Sequence, residues 1–155
     1  MIDGRFMKVR DAADGAIGFV EVGGDVHFGM LFSWDIAEDT DRGIVDLSAT
    51  SVGEWVFVQP REVFYRLDGA TLATRATAAD LSFTDQVRKG TIAFADDDRY
   101  FVIQHRHSYL YVSLTTGLIG TSRPDIIGSI KNWTVEQRLG DEVRQVGIDP
   151  VSPSE

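Results

Sequence analysis

The chain passes three times through one order of apolar and aromatic stretches. Such self-similarity is the mark of a fold built from repeated units that bury their faces against one another. "RFMKVR" from Arg5, "EWVFVQ" from Glu54 and "RYFVIQ" from Arg99 each set an aromatic, Phe6, Trp55 or Tyr100, in a short and mostly apolar run. A second set, "GFVEVGG", "VFYRLDG" and "YLYVSLTTG", ends on Gly24, Gly69 and Gly117. Side chains that alternate along a strand can bury one face, and glycine supplies the positive φ that tight turns often need. Asp68-Gly69 carries the residue pair of a type I′ hairpin turn. A third set is "DVHFG" from Asp25, "ATLATR" from Ala70 and "LIGTSR" from Leu118; the last two share Thr74-Arg75 and Ser122-Arg123 as endings. Each pass closes on an aromatic, and these three, Trp34, Phe83 and Trp133, are almost evenly spaced.

The connecting pieces add short apolar runs at similar offsets, Ile44-Val45, Ile92-Ala93-Phe94 and Val143, which read as a further strand or a core-covering turn. Clusters of Val, Ile, Thr and aromatics, with 15 glycines and only 4 prolines, favour strands joined by tight turns. The best helix candidate is "WTVEQRLGDEVRQVG", where Leu139, Val143 and Val146 share one helical face, but Gly140 interrupts it.

A unit of about four strands cannot bury its apolar face alone, whereas three units closed around an axis can. Trp34, Phe83 and Trp133 are then expected to meet near that axis or cap it. Val9, Val58 and Ile103 are expected in a second core layer, and Leu72 and Ile119 in the third-strand positions. This order of strands resembles the β-trefoil superfamily, in particular its fascin-like, actin-crosslinking branch and the trefoil lectins. It is clearest over Arg99–Gln137. The resemblance implies one all-β trefoil domain over residues 1–147, with units at about 5–53, 54–98 and 99–147 and a flexible tail at 148–155. The Gln-x-Trp signature of ricin-type members is absent, since Phe32, Leu81 and Lys131 stand two residues before the closing aromatics. The alternative architecture is a calycin-like antiparallel barrel.

Charge and composition narrow the chemistry. A formal net charge of -9 repels phosphate backbones, so no nucleic-acid partner is expected. There is no cysteine, which removes disulfides, thiolate catalysis and cysteine metal sites. No apolar stretch is long enough for a membrane span. "MIDGRFMKVR" lacks the apolar centre of a signal peptide, making the cytoplasm the default compartment and leaving unconventional export open. Asp96-Asp97-Asp98 reads as a solvated turn.

His105 and His107 are two of three histidines and would face one way in extended backbone. With only His27 to join them, a polar hairpin turn is the preferred reading over a zinc site. No HExxH, GxSxG or phosphate loop is present, so neither catalysis nor a cofactor is implied. Binding is the remaining expectation, by analogy with trefoils: a glycan, as in a lectin, or a protein partner, as in fascin-like modules. Residues able to offer an aromatic face with directed polar groups are Tyr65, Arg75, His105, His107, Tyr109 and Arg123. Alternation sends one of Tyr109 and Tyr111 inward.

Overall fold

A computed structural model describes residues 3–36, 39–48, 52–74, 77–120 and 122–146, with backbone alone at 35, 36, 39 and 40. The alternating stretches form strands: β1 (Gly4–Lys8), β2 (Ile17–Val22), β3 (Asp25–Ile36), β4 (Asp39–Asp46), β5 (Trp55–Val58), β6 (Val63–Leu67), β7 (Ala70–Ala73), β8 (Leu81–Ser82), β9 (Ile92–Phe94), β10 (Arg99–His105), β11 (Ser108–Ser113), β12 (Ile119–Gly120), β13 (Gly128–Ile130), β14 (Thr134–Leu139) and β15 (Glu142–Val146). The helical content described is two single turns of 3-10 helix, Val9–Asp11 and Ala78–Asp80.

The strands make a six-stranded sheet in the order β1-β6-β2-β3-β4-β5, a second in the order β12-β11-β10-β9-β13-β8, and a three-stranded sheet β15-β14-β7. All named pairings are antiparallel. Period-two alternation sends Phe28, Met30 and Phe32 of β3 to one face of the first sheet, while Leu31 goes to the other. The first face joins Phe101 and Ile103 of β10 and Leu110 and Val112 of β11 in one core. The third sheet adds Val135 and Val146 to it. The outer face of the first sheet is covered by the segment after β1, where Val9 and Ala12 pack on Val20, Leu31, Ile44, Val58 and Phe64. The outer face of the second sheet has a smaller cluster of Ala93, Val102, Tyr111 and Ile126.

Gly18 and Gly29 are cross-strand partners in the first sheet. A Cβ on Gly29 would run into the Val45 carbonyl and come within 2.7 Å of Ile44 Cγ1; one on Gly18 would run into the Tyr65 carbonyl. Backbone approaches this close fit only glycine, and the pair sits where the twelve-residue β3 is held by both β2 and β4.

Several expectations change here. The sheets are not closed into a barrel: single parallel bridges, Ser33–Leu118 and Glu54–Gln104, join their margins. Pairing crosses the expected unit boundaries, because β1 pairs with β6 and β7 with β14. Asp68-Gly69 turns the chain without making a hairpin. Leu67 before it pairs with Gly4 and Ala70 after it pairs with Gln137, so Gly69, at φ 65°, sits at a corner between two sheets. The helix candidate is the β14–β15 hairpin, where Gly140, at φ 63°, occupies the turn. Val9 and Val58 share the outer cluster, separate from Ile103. Leu72 and Ile119 do pack on the main core.

The closing aromatics do not converge. Phe83 is 83% exposed. Trp133 packs edge-on against Phe101 and donates its indole N–H to the Gly90 carbonyl at 2.7 Å. Trp34 lies at the margin of the main core among a different set of rings. The expected tail, 148–155, lies outside the described residues.

Candidate functional site

Three strands bring their last inward-facing residues to one margin of the main core. On β3 the inward series Phe28, Met30, Phe32 continues to Trp34. On β5 it runs Trp55, Phe57, and on β10 it runs Phe101, Ile103, His105. Strands β4 and β5 are neighbours, with Gly43 opposite both Phe32 and Phe57. The Gln104 N–H donates to the Gly53 carbonyl at 2.9 Å, which holds the end of β10 beside the start of β5.

The result is an aromatic rim. Trp34 and Phe57 lie parallel within 6° at a centroid separation of 6.1 Å. The His105 imidazole stands edge-on to both, at 5.4 Å from Trp34 and 5.5 Å from Phe57. Trp55 closes the cluster from below, edge-on to Trp34 and Phe57. Its Nε1 is buried with no hydrogen-bond partner among the described residues, a situation native interiors rarely keep. Phe57 remains 41% exposed.

Beside the rings a recess of about 220 Å³ is lined by Glu54, Trp55, Gln104, His105 and Arg106. Glu54 pairs with Lys89 at 3.0 Å. Arg106 has φ 60°, the left-handed region that costs a non-glycine residue about 1–3 kcal/mol. Its exposed side chain makes no ion pair among the described residues. The arrangement offers ring faces with donors and acceptors along one edge. It contains no nucleophile paired with a base.

The sequence candidates are spread over the molecule. His105 is in the rim. His107 is exposed in the turn after it. Tyr109 lies across from Gln104 on β11 and is exposed, while Tyr111 is the buried one of the pair. Tyr65 is half-buried on β6, edge-on to Phe6 at 4.7 Å. Arg123 is exposed and donates to the Asp85 carbonyl. Arg75, expected as the equivalent of Arg123, lies outside the described residues. His27 bonds to Asp46 Oδ2 at 3.3 Å on the opposite face of β3 from Trp34. Phe57, Glu54, Gln104 and Arg106 were not singled out from sequence. The alternation Trp55-Val56-Phe57 is the signal that points to Phe57.

The acidic run divides. Asp96 and Asp97 are exposed, but Asp98 ties β10 to the end of β11. It accepts from Ser113 Oγ at 2.5 Å, Thr115 Oγ1 at 2.7 Å and the Arg99 N–H at 2.7 Å. Burial pushes its pKa up, yet the Ser113 and Thr115 hydroxyls, the Arg99 amide and the Arg99 charge outweigh burial and leave it below the usual 3.8. Next to it, burial followed by the charges of Asp97 and Asp98 pushes the Tyr100 phenol up.

Comparison of the chain with family models, curated proteins and solved structures finds no match. No helix among the described residues is long and apolar enough to cross a membrane.

Proposed function

We propose that the protein is a non-catalytic binding domain that seats a carbohydrate on the Trp34–Phe57–His105 rim. One observation carries the reading: Phe57 keeps its ring in solvent, parallel to Trp34, beside a recess whose walls are polar. A pyranose ring has a C–H face and a perimeter of hydroxyls. An apolar surface with a few convergent polar groups is what such a ligand requires. The C–H face would lie on Phe57, with hydroxyls directed to Glu54, Gln104, His105 and Arg106. A trefoil lectin could carry three equivalent sites. The proposal is for one, because neither Phe83 nor Trp133 has a comparable group of rings around it among the described residues.

The second reading is a protein-interaction module of the fascin-like kind. Phe6 at 73% exposure and Phe83 favour it as bare aromatic side chains. A glycan-array screen of the wild type and of Phe57→Ala separates the two. Binding to related glycans, competed by free sugar and weakened about thirtyfold in the variant, supports the carbohydrate rim. An array that stays negative with folded protein overturns it and leaves the protein partner.

A further inference from the structure

A second cavity, of about 240 Å³, shares no lining residue with the recess at the rim. It lies at the start of β2, where β3 runs on past its last partner Ile17, beside the turn after β11 that carries Thr115, Thr116 and Gly117. Its floor is apolar. Ile17, Met30, Phe32 and Ile92 reach it from the main core, joined by the half-buried Leu72 and Leu114.

Its polar lining is lopsided. Two charged side chains line it, Asp14 and Arg99. One oxygen of the Asp14 carboxylate is occupied: Arg42 donates to Oδ1 at 2.8 Å, and so does Ser33 Oγ at 2.8 Å. Arg99 forms no ion pair and no side-chain hydrogen bond among the described residues. The carboxylate next to it in sequence, Asp98, feels the Arg99 charge but takes its hydrogen bonds from two hydroxyls and an amide. Arg99 therefore brings to the lining of a cavity with an apolar floor an exposed guanidinium whose charge acts on Asp98 but which forms no ion pair among the described residues. The hydroxyls of Thr71 and Thr116 line the same cavity. A cationic ligand meets an Asp14 whose charge Arg42 already offsets, whereas an anionic one finds Arg99 without an ion pair among the described residues.

We infer that this cavity binds a small apolar carboxylate, such as a short-chain fatty acid, with its chain among Ile17, Phe32 and Ile92 and its carboxylate on Arg99. The volume sets the ligand class. It falls below the range of roughly 300–1,000 Å³ that holds drug-sized molecules, so a short chain fits and a long one does not. A guanidinium fork matches a carboxylate in two parallel hydrogen bonds.

The test is titration calorimetry of the full chain with acetate, butanoate, hexanoate and octanoate, and with 1-hexanol as the uncharged control. Affinity for the acids is expected to rise about fourfold per added methylene until the cavity is full. Arg99→Gln is expected to weaken hexanoate at least tenfold and to leave 1-hexanol unchanged. Its urea midpoint should stay close to that of the wild type, since the side chain it replaces forms no hydrogen bond or ion pair among the described residues and acts on Asp98 through its charge alone. Ala70→Leu, which narrows the cavity, should weaken both ligands. Absence of hexanoate binding to the wild type overturns the inference. So does an affinity independent of chain length, or an equal loss of acid and alcohol in Arg99→Gln. Phe57→Ala should leave hexanoate affinity intact, which keeps this site's test separate from that of the rim.

Discussion

Gly43 is the position where the rim is most open to a one-atom test. It sits on β4 between Phe32 and Phe57, and the Trp55 indole covers the space a side chain would take. A Cβ there would meet Trp55 Cζ2, with Cε2 at 2.5 Å and the Val56 carbonyl oxygen at 2.7 Å. Gly43 is not at positive φ, so alanine meets no backbone penalty. In open space the change would stabilise the fold by about 0.4–1 kcal/mol through the unfolded chain. Forcing an extra carbon into packed surroundings costs about 1–3 kcal/mol. The clash exceeds the gain, and a net loss of about 1–2 kcal/mol is expected, or roughly 2–8 °C in Tm for a domain of this size. The indole can tilt, carrying Phe57 and Trp34 with it, but the Val56 carbonyl is backbone and has to shift as well. The assay is urea unfolding followed by tryptophan fluorescence, on Gly43→Ala, Trp55→Phe and the double variant. Phenylalanine lacks the indole Cζ2 that lies nearest the Cβ, although the Val56 carbonyl stays, so the double variant should lose less than the two single losses summed. A Gly43→Ala protein as stable as the wild type, or strictly additive losses, would refute the packing argument.

Two further predictions concern neighbouring elements. Asp98 has a folded pKa below its ordinary 3.8, so its contribution is present above that pH and fades as pH falls through the lower folded value. Asp98→Asn should therefore cost about 1 kcal/mol at pH 7, a charge-assisted hydrogen bond discounted for solvent screening, and the gap to wild type should close below pH 3.8. Urea midpoints from pH 7 to pH 2 check this, and a constant gap contradicts it. Arg106→Gly should act in opposite directions on fold and ligand. Removing the Cβ at φ 60° is expected to raise stability by about 1 kcal/mol, while glycan affinity at the rim falls. A loss of both would show that Arg106 holds the hairpin together.

Local signals read well and distant ones did not. The hairpin from β10 to β11 follows from "RYFVIQ" and "YLYVS" because both strands and their turn lie in one short stretch. The Gly23-Gly24 turn, with φ of 61° and 90°, follows from "GFVEVGG" in the same way. Asp68-Gly69 has the right residues for a hairpin. What decides against one is that Ala70 to Ala73 find their partners on β14, far along the chain. The threefold repeat has a similar cause. Half-buried strands of equal length look alike in sequence, whichever strands they pair with, so recurring patterns need not mean equivalent places. Phe83 and Trp34 occupy matching positions in the pattern and opposite environments in the fold. At the rim, Trp34 and His105 each stood out in the sequence. Their meeting depends on the seam between Gly53 and Gln104, which no local pattern announces.

The first sheet is assembled wholly from residues 4–67, and the second from residues 81–130. On a ribosome these appear in turn. All six strands of the first sheet are available for pairing once residue 67 has emerged, but the strands that cover Phe28, Met30 and Phe32 are not yet made. At roughly 5–20 residues per second, the remaining stretch of about 63 residues takes some 3–13 s to synthesise. A first sheet that formed during those seconds would carry a bare apolar face. That interval, rather than any state of the finished molecule, is when a chaperone has most to hold and a neighbouring nascent chain most to stick to.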